Sequence, residues 1–325
     1  MGFPFNFFLP AFTGAFLTTL LALPLWRKWC LRVNLVDDPG QRKIHDAPVP
    51  LAGGFAVLTG ILLPLAAGAI FLKLGIVKMS FASLIVHGIN RRALELVVIA
   101  FGAIAITVLG WLDDKHELKP LAKFTGQLLV AVAVALACKR ITLFVPSLTF
   151  SYAITILWVL TVINAFNFMD NMNGLCAGLG AIGALLFAII AAAKGQYLVA
   201  LTGFLMCGAL LGFLPYNFPN ARAFLGDAGS HLVGYLLAVM AILPHFYTRQ
   251  HPQPLAVLSP LLVLAVPLAD LARVVILRTV NRKPFWIGDM NHLSHRLVRA
   301  GMTQTDAVLS IWLIALLIGV FATLL

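Results

Sequence analysis

Nineteen residues from Leu175 to Ala193, LCAGLGAIGALLFAIIAAA, pass without one charged side chain. As a helix rising about 1.5 Å per residue, such a run spans close to the ~30 Å hydrocarbon thickness of a bilayer. Runs like it recur along the chain. Ten apolar segments fall at roughly 5–26, 51–72, 95–112, 124–138, 150–167, 175–193, 197–214, 228–244, 255–277 and 307–325, the fourth and eighth being short. They are too long for strands and rich in Leu, Ala, Val and Ile, which argues against a barrel. The fold expected is therefore all-α: a polytopic membrane protein with about ten transmembrane helices, forming a single domain over residues 1–325. A chain that is 61% hydrophobic and only 11% charged does not have the mix of a soluble domain. The lipid bilayer is thus a partner, and no nucleic acid is expected. No Lys or Arg precedes the first segment, so it reads as a span rather than a cleavable signal. Cys30, Cys138, Cys176 and Cys207 are isolated, without the spacing of a zinc site or a disulfide framework, and read as packing residues.

Lys and Arg mark cytoplasmic loops. They number 14 in the loops after segments 1, 3, 5, 7 and 9 and 8 in the other loops. The acids separate more sharply, with nine of the twelve Asp and Glu in the odd loops. Ten spans with odd loops inside place both termini outside and the acids on the cytoplasmic face. Ionisable groups at a membrane are costly unless they pair, bind ions or line a wet cavity.

The polar stretches on that face supply phosphate chemistry piece by piece. Asp37 to Gly54, DDPGQRKIHDAPVPLAGG, sets Arg42, Lys43 and His45 before a Gly-Gly pair whose backbone N–H groups are expected to approach an anion. GWLDDKHELKP, from Gly110 to Pro120, puts Asp113 and Asp114 side by side at the end of segment 3, with Lys123 just beyond. Neighbouring carboxylates point in different directions, so one can hold a cation while the other orients a ligand. Mg²⁺ suits such a loop, since it takes a few carboxylates together with water and substrate phosphates. Asn164, Asn167 and Asp170 recur every three residues at the end of segment 5 and form one helical stripe, followed by Asn171 and Asn173. A polar ladder there must face a cavity or a partner helix. Gly226-Asp227-Ala228-Gly229-Ser230 opens segment 8, where Asp227 is either a cap with Ser230 or a metal ligand, and Phe224 offers a surface for stacking a base. Loop 9 gathers Asp289, His292, His295, Arg296 and Arg299; if helical, His292 and His295 would share a face and hold a phosphate or, as the lesser alternative, a metal. Asp270 and Arg273, three apart within segment 9, are expected to pair.

Carboxylates, cations and Gly-rich helix starts on one face match phosphoryl transfer. In their order, these stretches resemble the bacterial polyprenyl-phosphate N-acetylhexosamine-1-phosphate transferases, the superfamily that also holds phospho-MurNAc-pentapeptide transferase. The stretches are Asp38-Pro39 with Arg42-Lys43-Ile44-His45 and Gly53-Gly54, Asp113-Asp114 with Lys123, Asn164 to Asp170, Phe224 to Ser230, and His292 to Gly301. The resemblance implies transfer of a sugar-1-phosphate, GlcNAc-1-phosphate first, from a UDP-N-acetylhexosamine to undecaprenyl phosphate. UMP is released, and Mg²⁺, or alternatively Mn²⁺, is the cofactor. It implies Asp227 as leading metal ligand with Asp114 and Asp170, catalytic roles for Asp113, Asp114 and Asp170, and phosphate contacts from Lys43, His45, Lys123, His292, His295 and Arg296. Asn164, Asn167, Asn173 and Phe224 join the substrate site, Asn173 and Phe224 near the nucleotide. Between the two adjacent acids, Asp114 is expected to face the metal and Asp113 the acceptor. The acceptor phosphate is already largely ionised at neutral pH, which favours its direct in-line attack on the β-phosphorus over a covalent aspartyl intermediate. The enzyme would sit in the bacterial inner membrane with its active site facing the cytoplasm, and a homodimer is left open. Two departures from the family pattern lower the charge of the site: Asn173 stands where the family has a second Asp, and Ser294 where it has the middle His of His-x-His-His. The muramyl-pentapeptide branch remains the second reading, and a carrier of an anionic metabolite is the rival from another class. Carriers place their key charges near the bilayer midplane, often in repeated halves, and neither feature is evident here.

Overall fold

A computed structural model describes residues 5–38, 48–75, 82–138, 140–143, 145–244, 254–282, 284 and 291–324. The elements in chain order are α1 (Phe5–Arg32), a two-stranded antiparallel ribbon of β1 (Val36–Asp37) and β2 (Val49–Pro50), α2 (Gly53–Lys73), α3 (Ala82–Arg91), α4 (Ala93–His116), α5 (Pro120–Ala137), α6 (Leu148–Met169), α7 (Leu175–Ala193), α8 (Tyr197–Phe213), α9 (Gly226–Ile242), α10 (Ser259–Val263), α11 (Ala265–Val280), α12 (Leu293–Arg299) and α13 (Gln304–Thr323). The protein is an all-α, multi-pass membrane protein. Among the described residues eight helices are long and apolar enough to cross a bilayer. The ninth apolar segment is a helix pair bent by 71° between Val263 and Ala265, and the eighth is the 17-residue α9.

Burial separates these helices into two classes. α7 and α9 are hydrophobic all round and buried at most of their positions, as core helices must be. α1 and α13 instead bare rows of leucine, Leu9, Leu17, Leu21 and Leu25 on the first and Leu309, Leu313, Leu316 and Leu317 on the second, a surface suited to lipid. Lipid tails give apolar helices no reason to associate, so close backbone approach has to hold them together. Gly208 and Gly212 of α8 supply it: a Cβ on either would stand 2.2 and 2.4 Å from the carbonyl oxygens of Phe12 and Phe16 on α1.

The same economy of side-chain volume builds the polar end of the bundle. Gly110 of α4 lies against the backbone of Asp227 and Ala228, and Gly54 of α2 against Gly229, so the ends of α2 and α4 close on the first turn of α9. All four cysteines are buried and free, in the packing role expected of them.

Candidate functional site

The C-terminal ends of α4 and α6 meet the N-terminal ends of α2, α5 and α9. A helix start leaves N–H groups without partners and carries a partial positive charge, so the beginning of α9 needs an acceptor. Its own N-cap, Leu225, has none to give. Asp114 provides it from the neighbouring helix: one carboxyl oxygen accepts from the Asp227 N–H at 2.8 Å and the other from the Ala228 N–H at 3.1 Å. Gly226 makes room, at φ +71° with an added Cβ only 2.7 Å from Asp114 Oδ2. Asp227 is thus not the cap of its helix; it stands in the first turn with its side chain turned to other partners.

Those partners form a layer. The Lys123 ammonium of α5 lies 2.6 Å from Asp227 Oδ2 and 2.6 Å from Asp113 Oδ2. Asn167 of α6 donates to Asp227 Oδ1 at 2.7 Å and to Ser230 Oγ at 3.1 Å. Asp113 also accepts the Leu118 N–H at 2.9 Å, which ties the turn between α4 and α5 to the same carboxylate. Asp170 follows the last residue of α6 in a non-helical conformation, so of the expected stripe Asn167 lies in this layer, Asn164 one turn deeper in α6 and Asp170 just past the helix end. Burial, then the negative charges of Asp227, Asp114 and Asp37, push the Asp170 carboxyl well above the usual carboxylate range, and the Gly226 N–H pulls it partly back. Part of its surface still meets solvent, and the described charges that act on it are negative.

α12 closes one side. Asp270 of α11 takes His292 Nδ1 at 2.7 Å and the Leu293 N–H at 2.7 Å, capping α12 and orienting the imidazole. The expected Asp270–Arg273 pair is therefore not formed; Arg273 donates to the Asn291 carbonyl at 2.6 Å, because the helix start is the stronger claimant on the acid. Phe168 packs edge-on to His292 and under the Arg278 guanidinium. Ser294 Oγ donates to Asn171 Oδ1 at 2.7 Å, so the serine in the middle of the His motif joins α12 to the loop after Asp170. The His292 and His295 rings lie 6.3 Å apart, and Arg296 is exposed beside them.

The Gly-Gly expectation is corrected. The Gly53 and Gly54 N–H groups donate to the carbonyls of Phe224 and Leu225, and Phe224 N–H to Pro50, so these donors splice α2 to the segment before α9 and are not directed at an anion. Asn173 donates to the Pro219 carbonyl at 3.0 Å, and Phe224 is half-buried. Lys43, His45 and Asp289 lie outside the described residues. Among the described residues no group of three His, Cys, Asp or Glu is arranged as a ready metal cage. Mg²⁺ does not require one, since a single carboxylate or two with water and substrate phosphates suffices. Asp113, Asp114, Asp170 and Asp227 set against Lys123 fit a group that brings positive charge.

Sequence reasoning passed over Gln127 and His231. Asn164 Nδ2 donates to Gln127 Oε1 at 2.9 Å, and Gln127 Nε2 lies 3.3 Å from His231 Nε2. Both are polar residues inside apolar segments, a signal that intramembrane polarity alone would have raised.

The sequence profile of glycosyl transferase family 4 matches residues 96–245, the stretch that holds Asp113, Asp114, Lys123, Asn167, Asp170 and Asp227. The chain is 31% identical over 323 residues to a probable undecaprenyl-phosphate N-acetylglucosaminyl 1-phosphate transferase of Bacillus subtilis, covering 97% of this chain and 84% of that protein. The chain belongs to this family of glycosyl-1-phosphate transferases. It is an enzyme, and the carrier reading falls away. The decaprenyl-phosphate N-acetylglucosaminephosphotransferase of Mycobacterium tuberculosis H37Rv is 31% identical, over 93% of this chain and 78% of its own length. The undecaprenyl-phosphate alpha-N-acetylglucosaminyl 1-phosphate transferase of Escherichia coli K12 is 29% identical, over 94% and 82%.

Proposed function

We propose that this transferase moves GlcNAc-1-phosphate from UDP-GlcNAc to undecaprenyl phosphate, with release of UMP, at the cytoplasmic face of a bacterial inner membrane. The observation that carries the reading is the layer in which Lys123 bridges Asp113 and Asp227 beside Asp170, in a chain whose relatives are named for this transfer. Charge-poor lipid surrounds the bundle, yet the helix ends here hold groups of both signs, as a reaction between two phosphates requires.

Asp227 and Asp170 would hold Mg²⁺, with Asp114 behind them. When bound, that ion would neutralise phosphate oxygens during displacement. Asp114 spends both oxygens on the first turn of α9 and so sets where Asp227 stands. Asp113 holds Lys123, whose ammonium is the described cation best placed to meet a phosphate. Asp270 holds His292 with Nδ1 engaged, leaving Nε2 as the atom to meet substrate. The acceptor phosphate needs no strong base, since its second ionisation lies near neutrality, so positioning for in-line attack is the main demand on these residues.

Purified protein in lipid nanodiscs, given UDP-GlcNAc, undecaprenyl phosphate and Mg²⁺, should release UMP and form the lipid-linked sugar. UDP-GalNAc and UDP-MurNAc-pentapeptide in parallel test the donor. Absence of UMP in every combination would overturn the reading.

A further inference from the structure

We propose that His231 is a positioning residue for the transfer, acting from a second polar layer one helical turn deeper than the carboxylate site. The site layer joins three helices through Lys123 on α5, Asp227 on α9 and Asn167 on α6. The deeper layer joins the same three helices through Gln127 on α5, His231 on α9 and Asn164 on α6. Each member stands one turn from its counterpart: 123 to 127, 227 to 231 and 167 to 164. Residues three or four apart share a helix face, so the two layers repeat one rotational setting of the three helices.

Gln127 and His231 are 1% and 0% exposed in otherwise apolar surroundings, where an unbonded polar group is costly. Asn164 donates to Gln127 Oε1, which turns the Gln127 amide N–H toward His231 Nε2 and leaves the ring proton on Nδ1. His231 Nδ1 has no partner among the described residues, so all of its bonding runs through Nε2. Bonds of this kind add little stability in a membrane bundle, because polar groups in the unfolded helices also find partners. What they set is the rotation of α5 and α9, and hence the place of the Lys123 ammonium and the Asp227 carboxylate. Small displacements of such groups are expensive in rate.

This inference rests on the proposed transfer, and its test separates the two. Glutamine can place an amide where His231 Nε2 lies, whereas asparagine reaches only the Nδ1 position. In nanodiscs with UDP-GlcNAc, undecaprenyl phosphate and Mg²⁺, His231→Leu and His231→Asn should each lower kcat by ~10–100-fold, the range for groups that orient a site from outside it, with KM little changed. His231→Gln should stay near the parent protein. The rise in Tm on adding Mg²⁺, which needs no turnover, should follow the same order. Full kcat in His231→Leu, or equal losses in the Gln and Asn variants, would overturn the role. If the parent releases no UMP, the transfer reading fails by itself, and the Mg²⁺-dependent Tm order still decides the place of His231.

Discussion

Replacing Lys123 by methionine keeps the stem and removes the charge. The ammonium lies 2.6 Å from one oxygen of Asp113 and 2.6 Å from one of Asp227, so those oxygens are within about 5 Å of each other. With the cation gone, two carboxylates at that separation repel by about 3 kcal/mol at an effective dielectric of ~20. The side chains involved are 11–29% exposed, so solvent screens only part of this. Removing one partner of a buried ion pair costs ~3–5 kcal/mol in general, which agrees with the Coulomb figure. Spread over an unfolding entropy of about 2.1 cal/mol/K per residue, 3 kcal/mol lowers Tm by roughly 4 °C. The variant also acquires a reason to bind divalent cations, because the freed carboxylates now face one another. Thermal unfolding in nanodiscs, followed by tryptophan fluorescence with and without millimolar Mg²⁺, is the assay. The Lys123→Met protein should melt lower than the parent without Mg²⁺ and gain more from its addition. Equal Tm without Mg²⁺, or a deficit that Mg²⁺ leaves untouched, would refute the electrostatic account of this layer.

Gly226→Ala forces a left-handed residue with a Cβ against Asp114 Oδ2; the backbone strain alone costs about 1–2 kcal/mol, and the displaced Asp114 should take activity with it, read as Tm and UMP release. Asp114→Asn keeps one acceptor but turns an amide N–H toward a backbone N–H at the start of α9, so stability should drop by about 1–2 kcal/mol in denaturant-based unfolding. Asp270→Asn should weaken the hold on His292 and the start of α12, lowering kcat while His292→Ala in the same background adds little further loss, a non-additivity that a double-mutant cycle measures. The Asp170 carboxyl is held above its ordinary range, so it stays protonated to higher pH than a free Asp; Mg²⁺ affinity, followed by titration calorimetry, should fall as pH is lowered through that raised value, and Asp170→Asn should flatten the profile.

The membrane fold was legible because its signal is long and cumulative: each of the ten apolar runs holds helix, but among the described residues eight helices are long enough to span, the eighth run is the 17-residue α9, and the ninth bends by 71° between Val263 and Ala265. The gathering of Asp113, Asp114, Lys123, Asn167, Asp170 and Asp227 was legible from charge and order along the chain. Their division of labour was not. Which acid caps α9 depends on how closely α4 approaches it, and that is set by Gly110 and Gly226, residues whose message is the absence of a side chain. The Gly-Gly pair before α2 misled for the same reason: glycine signals close approach but not what approaches, and here it is the carbonyls of Phe224 and Leu225. Asp270 was assigned to the nearest cation in sequence, yet its partners stand 22 and 23 residues away across a helix contact. Gln127 and His231 each stand one turn from a charged residue, Lys123 and Asp227, but the sequence does not show that the helices bearing them face one another.

Among the described residues four carboxylates gather where Lys123 pairs with two of them, which would seem a poor place to bring two phosphates together, and the arrangement resolves that difficulty. Asp114 faces the positive end of α9 and two of its N–H groups, which offset about half a unit of charge. Asp113 and Asp227 share Lys123, and Asn167 turns its amide N–H to the remaining Asp227 oxygen. Among the described residues Asp170 meets the negative charges of its neighbours and the Gly226 N–H rather than a cation, and protonation is the response that burial favours. The field that an approaching phosphate meets is therefore much weaker than a formal count of acids suggests. The acids stand at the ends of α4, α6 and α9 and their partners come from α5, α6 and α9, so the site's charge depends on how α4, α5, α6 and α9 are set against one another. A change in that setting alters the binding of cations and phosphates together, which is why residues that touch neither can govern both.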